Sequence, residues 1–395
     1  MKILVLSTFP VTNASHGGQI RLLNILDMFR RTGATVRNAG VLGSTHYAET
    51  PGFLPFPGSS ALLPYIDNPF LMEDWALGRL FATDDNFYAQ LAAQIDFDPD
   101  IIHVELPWLF EFAQRFKRER RLTRTRLIYG SQNIEHELKY KILAQHFPLK
   151  NAKASTDLIE ACELNALRKA DAACCVSQND LEWSRNYTKA PIILGQNGVG
   201  RAKASLREVA GAAHITRNRK YALFCASAHP PNITGFFDIF KKGLFCIAPN
   251  ESLVIAGSAG DAILNDIRAK HVPRLSAGVI NAGVVTDGCM RGLIYNAHCI
   301  VLPITQGGGT NLKTAEAIWS GAHVVATPTA MRGYEQFCDS AGITVTDEPL
   351  AFLQAVRRAM DQPRLQIPED EAAVREAVLW EKTLVDYENF ITNLA

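Results

Sequence analysis

The sequence predicts an α/β protein of two Rossmann-like domains, each built on a parallel sheet, facing one another across a cleft. Three observations carry this. Short apolar strands alternate with amphipathic helices up to about residue 194, and the alternation restarts near residue 221. The 395 residues are more than one ordinary core holds. A glycine loop that opens a helix, Gly307-Gly308-Gly309-Thr310-Asn311-Leu312-Lys313, follows a strand of the second run. The expected division is 1–195, 196–378 and a terminal helix at 379–395 that returns to the first domain.

In chain order, Lys2–Ser7 reads as a buried strand, Gly17–Arg31 as a helix and Thr35–Leu42 as the next strand. Between about 45 and 92 the alternation lapses into Pro-, Gly- and aromatic-rich sequence such as Phe53-Leu-Pro-Phe-Pro-Gly58, the composition of functional loops or lids. Strands resume at Ile101–Glu105, Arg126–Tyr129 and Ala172–Val176, the last preceded by a helix over Ser155–Lys169. Pro191–Leu194 is a connecting strand, and the Ala-, Arg- and Lys-rich Gly200–Lys220 reads as a linker. The second run has strands at Tyr221–Ala226, Ser252–Ala256, Val279–Ala282, Cys299–Leu302, Val324–Ala326 and Ile343–Thr346.

Hydrophobic residues make up 47 %, charged residues 20 %, and the formal net charge is zero. This is the composition of a globular enzyme and offers no electrostatic case for nucleic acid. No apolar run is long enough to span a bilayer, and the short run at Met1–Phe9 reads as a first strand rather than a signal peptide. The eight cysteines have no paired spacing, so reduced buried thiols in a cytoplasmic protein are expected, with no metal.

Ligands of such sheets bind beyond the carboxyl ends of the strands, so the loops there are the candidate sites. Gly307–Gly309 removes side chains where a backbone must approach a ligand, and the helix after it offers unpaired N–H groups to an anion. Lys313 adds a cation in its first turn. Glu316, one turn on, can accept two vicinal hydroxyls, which together suits a nucleoside diphosphate and its ribose. Gly17 and Gly18 open the first helix, which carries Arg21. The loops Ala226–Asn232, Gly257–Gly260 and Gly283–Thr286 are small enough for a flat base and sugar, making Asn232, Gly257 and Val285 candidates. Trp108 follows the strand holding His103 and Glu105, where the histidine reads as a satisfied core residue. Ser131-Gln132-Asn133-Ile134-Glu135-His136 packs polar groups at a strand end, which favours function, whereas Ser177 reads as a helix cap. Asp96-Phe97-Asp98 has a metal-binding spacing but stands at the amino end of a strand and reads as a turn. The basic stretch 115–126 is a solvated helix end that could also attract anionic lipid.

Taken together, Gly17-Gly18, Asp100-Ile-Ile-His-Val104, Gln132-Asn-Ile-Glu135, Arg168–Ser177, Asn197-Gly198-Val199, Gly283–Asp287 and Gly307–Gly321 resemble a retaining glycosyltransferase of the GT-B fold, similar to family 4. The resemblance covers nearly the whole chain. It implies sugar transfer from a nucleoside-diphosphate sugar, without a cofactor or metal, to a hydroxyl of a glycan, lipid-linked or small-molecule acceptor. Glu316 matches the second glutamate of the family's pair and would hold the ribose, whereas the first falls on Gly308. The family's first-domain histidine falls on Gln132, beside Glu135 and His136. Catalytic roles are thus expected for Lys313, Glu135, His136 and Gln132. Donor contacts are expected from Gly17, Gly18, Arg21, Asn232, Gly257, Val285, Gly308, Gly309, Thr310, Asn311, Leu312, Lys313 and Glu316, and acceptor contacts from Trp108 and Asn133. The expected location is cytoplasmic, with peripheral contact at the inner membrane face through 115–126. The alternative is a catalytically reduced protein that binds nucleotide or glycan without transfer.

Overall fold

The computed structural model describes residues 1–14, 16–66 and 71–394. Ser15 of the loop before Gly17, residues 67–70 of the irregular 45–92 stretch and Ala395 lie outside the described residues. The chain divides into two compact units, Met1–Gln196 with Thr383–Ala395, and Asn197–Lys382.

The first unit holds β1 (Lys2–Ser7), β2 (Thr35–Val41), β3 (Phe53–Leu54), β4 (Ile101–Glu105), β5 (Arg126–Gly130), β6 (Ala172–Cys175) and β7 (Ile192–Leu194). They form one sheet in the order β3-β2-β1-β4-β5-β6-β7. Every pairing is parallel, with Ile3 opposite both Val36 and Ile101. Because helices cover the faces of a parallel sheet, β1 is an apolar run rather than an alternating one, and all five residues of β4 are buried. Leu4, Leu6, Ile102, Val104, Phe112 and Phe116 meet in the core of this unit.

The second unit holds β8 (Lys220–Cys225), β9 (Glu251–Ala256), β10 (Val279–Gly283), β11 (Cys299–Leu302), β12 (His323–Ala326) and β13 (Ile343–Val345). Their order is β10-β9-β8-β11-β12-β13, again parallel throughout. The connection reverses direction between β8 and β11, and this switch point is where an open α/β sheet leaves a crevice for a ligand. The loop after β8 leads into the helix whose first turn holds Asn232, and the loop after β11 carries Gly307–Gly309.

Two expectations fail. The 45–92 stretch is not loop throughout: Glu73–Thr83 and Asp85–Ala93 are helices, separated only by Asp84, whose carboxylate caps the second. Trp75, Ala76, Leu80 and Phe81 face the core at helical spacing, a pattern masked by the Pro-rich sequence before it. Gly200–Lys220 is not a plain linker, since Leu206–Ile215 forms a helix started by a reciprocal Ser205–Glu208 capping box. This helix crosses Asp287–Asn296 closely enough that a Cβ at Gly292 would stand 2.1 Å from the Glu208 carbonyl. In addition, the helix expected over Ser155–Lys169 begins earlier, at Leu149. No helix among the described residues is long and apolar enough to cross a membrane.

Candidate functional site

In the second unit, β11 ends at Leu302 and the chain turns through Gly307 (φ +137°) and Gly309 (φ +56°), conformations that L side chains rarely adopt. The helix Leu312–Ser320 follows, with Asn311 as N-cap accepting from the Lys313 N–H at 3.4 Å, and Gly321 ends it in the left-handed region. Neighbouring segments brace the loop. Asn197 Nδ2 donates to Thr310 Oγ1 at 2.9 Å, and Arg332 Nε donates to the Gly309 carbonyl at 2.7 Å.

Lys313 leaves the first turn of this helix and donates from Nζ to Asn232 Oδ1 at 3.1 Å. Asn232 is oriented for this, because its Nδ2 donates to the Ser227 carbonyl at 3.0 Å. The ammonium therefore lies at the start of the helix Pro230–Phe240, beside its N-cap His229. Burial depresses the Lys313 ammonium, while Cys225 and Glu316 oppose the shift. Burial likewise depresses His229, and Lys313 adds to it. Glu316 is pushed up to about 7 by burial, with Lys313 pulling it down. A carboxyl, an amine and an imidazole all displaced toward their neutral forms, next to a glycine loop at a switch point, make this the candidate ligand site. Val285 is half-buried against the core just after Gly283. Gly257 has an internal cause, since a Cβ there would stand 2.3 Å from the Ala226 carbonyl.

In the first unit, Gly17 and Gly18 open the helix as expected, with His16 as N-cap. Arg21 does not face a ligand. It is 1 % exposed and donates to the Gly195 carbonyl at 2.7 Å, with Glu105 3.5 Å away. The reason is register: Arg21, Leu22, Ile25, Leu26 and Phe29 form the buried stripe of that helix. Glu105 in turn meets His103 Nε2 at 2.6 Å, and His103 Nδ1 meets the Tyr387 hydroxyl at 2.8 Å. Burial raises Glu105, but His103, Arg21 and Gln132 outweigh it and leave the carboxyl below its ordinary value. His103 is thus the satisfied core residue its position suggested. Gln132 spends its amide on Glu105 Oε1 at 2.8 Å and lies against Gly18, supporting the first helix rather than presenting a free acid or base.

Glu135 and His136 start the helix Glu135–His146, where the buried Glu163 accepts from both their N–H groups, at 2.6 and 2.9 Å, and from His136 Nδ1 at 2.7 Å. The His136 imidazole is raised: burial lowers it, but the Glu163 carboxylate prevails. Glu135 is pushed up to about 7 by burial, which Lys139 opposes and Glu163 reinforces, and it accepts from Asn133 at 2.8 Å. Trp108 is buried in the core at 2 % exposure, so its ring is not open to an acceptor; Lys139 stands 4.6 Å above it. Ser177 caps its helix as expected.

Asp74 and Lys139 escaped the sequence reading. Lys139 Nζ lies 3.8 Å from Asp74 Oδ2, Thr8 donates to Asp74 Oδ1 at 3.1 Å, and His16 Nε2 meets the Tyr47 hydroxyl at 3.1 Å. The Asp-x-Asp turn is used internally, Asp96 pairing with Arg37 and Asp98 with Arg120. In the basic stretch, Arg115 pairs with Asp85 and Glu119, while Arg118, Arg121 and Arg124 are exposed.

Comparison with known proteins agrees with this fold. The family model for glycosyl transferases group 1 matches residues 219–362. No curated protein matches the sequence significantly. Among solved structures, sucrose-phosphate synthase from Thermosynechococcus elongatus is similar at TM-score 0.74 and 13% identity, covering 100% of this chain and 99% of its own. Anabaena HepE in complex with UDP-glucose is similar at TM-score 0.64 and 15% identity, covering 100% and 99%. The catalytic domain of starch synthase IV from Arabidopsis thaliana, bound to ADP and acarbose, is similar at TM-score 0.63 and 12% identity, covering 100% and 99%. The chain has the GT-B fold of these glycosyltransferase structures, and its second unit matches the family model of group 1 glycosyl transferases.

Proposed function

We propose that the protein transfers a sugar from a nucleoside-diphosphate sugar to an acceptor hydroxyl with retained configuration and without a metal ion. The observation that carries this is Lys313 Nζ held 3.1 Å from Asn232, at the start of one helix, by the first turn of another. Relatives place cations after the first strand of this domain, where the present chain has Asn232. Here the charge comes from the helix behind the glycine loop and occupies the same neighbourhood.

In this reading Glu316 accepts the ribose hydroxyls, and Lys313 meets the charge that develops on the departing diphosphate. Gly308 and Gly309 let the phosphates approach the backbone, and Asn311 caps the helix whose N-terminus faces them. The first unit binds the acceptor through Asn133 and Glu135, to which we add Asp74 and Lys139. Glu135, raised to about 7, is suited to exchange a proton with a hydroxyl near neutrality. Exposed Arg118, Arg121 and Arg124 form the patch proposed to touch anionic lipid.

Incubating the full chain with a panel of nucleotide sugars and acceptors, in the presence of a chelator, tests the reading. The expected result is chelator-resistant release of a nucleoside diphosphate and a product whose anomeric proton signal matches that of the donor. Inversion, or loss of turnover with the chelator, would refute the corresponding part. A second reading, nucleotide binding without transfer, is favoured by Gly308 standing where relatives carry a glutamate. Saturable donor binding with no turnover across the panel would select it.

A further inference from the structure

The Gly307–Gly309 loop is held from outside its own strand and helix. Arg332 lies in the loop after β12, 23 residues further along the chain, and its Nε donates to the Gly309 carbonyl at 2.7 Å. Its Nη2 lies 4.0 Å from where a Cβ at Gly307 would stand. One guanidinium thus reaches both ends of a three-glycine loop. Without side chains the loop has little intrinsic preference for one conformation, so an external brace decides which way its peptide groups face. A carbonyl tied to a cation cannot swing round to repel an anion lying on the loop.

We propose that Arg332 is a positioning residue for the diphosphate: it fixes the Gly309 carbonyl away from the ligand and adds a second positive charge to that of Lys313 in a site for two linked phosphates. This rests on reading the glycine loop as the diphosphate site. It also assigns division of labour, with Arg332 and Lys313 serving the phosphates and Glu316 serving the ribose.

Calorimetry with inorganic pyrophosphate, a probe that lacks base, ribose and sugar, tests the assignment on the full chain. Arg332→Met should weaken pyrophosphate binding about tenfold or more, the size expected for one charge-assisted hydrogen bond. Arg332→Lys, which keeps the charge but not the fork, should recover part of the loss. Uridine or adenosine affinity should be unchanged in Arg332→Met. If pyrophosphate affinity falls in Lys313→Met but not in Arg332→Met, the role of Arg332 is overturned and the site itself stands. If Arg332→Met weakens nucleoside and pyrophosphate alike, Arg332 is a general structural brace and the proposal fails. If the wild type does not bind pyrophosphate, the diphosphate site falls together with it.

Discussion

Nucleotide affinity should depend on pH through Glu316. The carboxyl is half-buried one turn after Lys313 and raised to about 7, so near neutrality about half of the molecules hold it protonated. A neutral acid has a proton of its own to place and accepts two hydroxyl hydrogens less well than a carboxylate. Between about pH 8 and about pH 5.5 the ionised fraction drops from about nine-tenths to about three hundredths, so affinity for a nucleoside should fall about thirtyfold. Glu316→Gln keeps the volume and one acceptor oxygen but does not titrate. At about pH 8 it should bind about 1–3 kcal/mol more weakly than the wild type, and its affinity should be flat with pH. Isothermal titration of uridine, guanosine and adenosine across that range, in buffers of matched ionic strength, reads both effects. An affinity that is pH-independent in the wild type, or equally pH-dependent in Glu316→Gln, would remove Glu316 from the ribose site.

Lys313→Met should lower turnover about ten- to a thousandfold while the melting temperature holds or rises, since burial already disfavours the ammonium; a melting loss without a specific turnover loss would make Lys313 structural. The same variant should move the Glu316 midpoint further up, because Lys313 is what pulls it down. Glu135 is held above its ordinary 4.5, so its contribution to stability is present below that value and lost as pH rises through about 7. Glu135→Gln should therefore melt higher than the wild type at about pH 8 and converge with it in acid; a constant difference across pH would refute the raised carboxyl. Tyr387→Phe leaves His103 Nδ1 buried without its partner and should cost about 1–3 kcal/mol, read by chemical denaturation, and an unchanged midpoint would show that the contact carries no weight.

What the residues revealed in advance divides by range. Lys313 and Glu316 sit one turn apart on a helix announced by its own glycine loop, so their association is local and visible in the spacing. Arg332 reaches the same loop from beyond β12, and no local pattern links positions that far apart. Asp74 and Lys139 come together from separate helices, one of which begins directly after the Pro-rich stretch that hid it. Arg21 was misplaced for a different reason: its charge drew a functional reading, although its place on the apolar stripe pointed inward. Apart from the two-residue edge strand β3, which lies in the Pro-rich stretch read as irregular, the strands of both sheets were legible to within a residue or two, because buried parallel strands leave largely apolar runs.

The His103–Tyr387 contact has a consequence for how the protein is made. Residues 1–196 leave the ribosome well before residues 383–394, yet both belong to one compact unit. Ile391 and Tyr387 are fully buried in it. Until they are translated, the nascent first unit carries an imidazole without its hydroxyl partner and an uncovered apolar face next to Phe29. The second unit, Asn197–Lys382, has all of its strands by then, so it can finish folding first although its synthesis starts later. Biogenesis would then run opposite to chain order, with the early half waiting for a short helix translated about 190 residues after the last strand of its sheet, Ile192–Leu194.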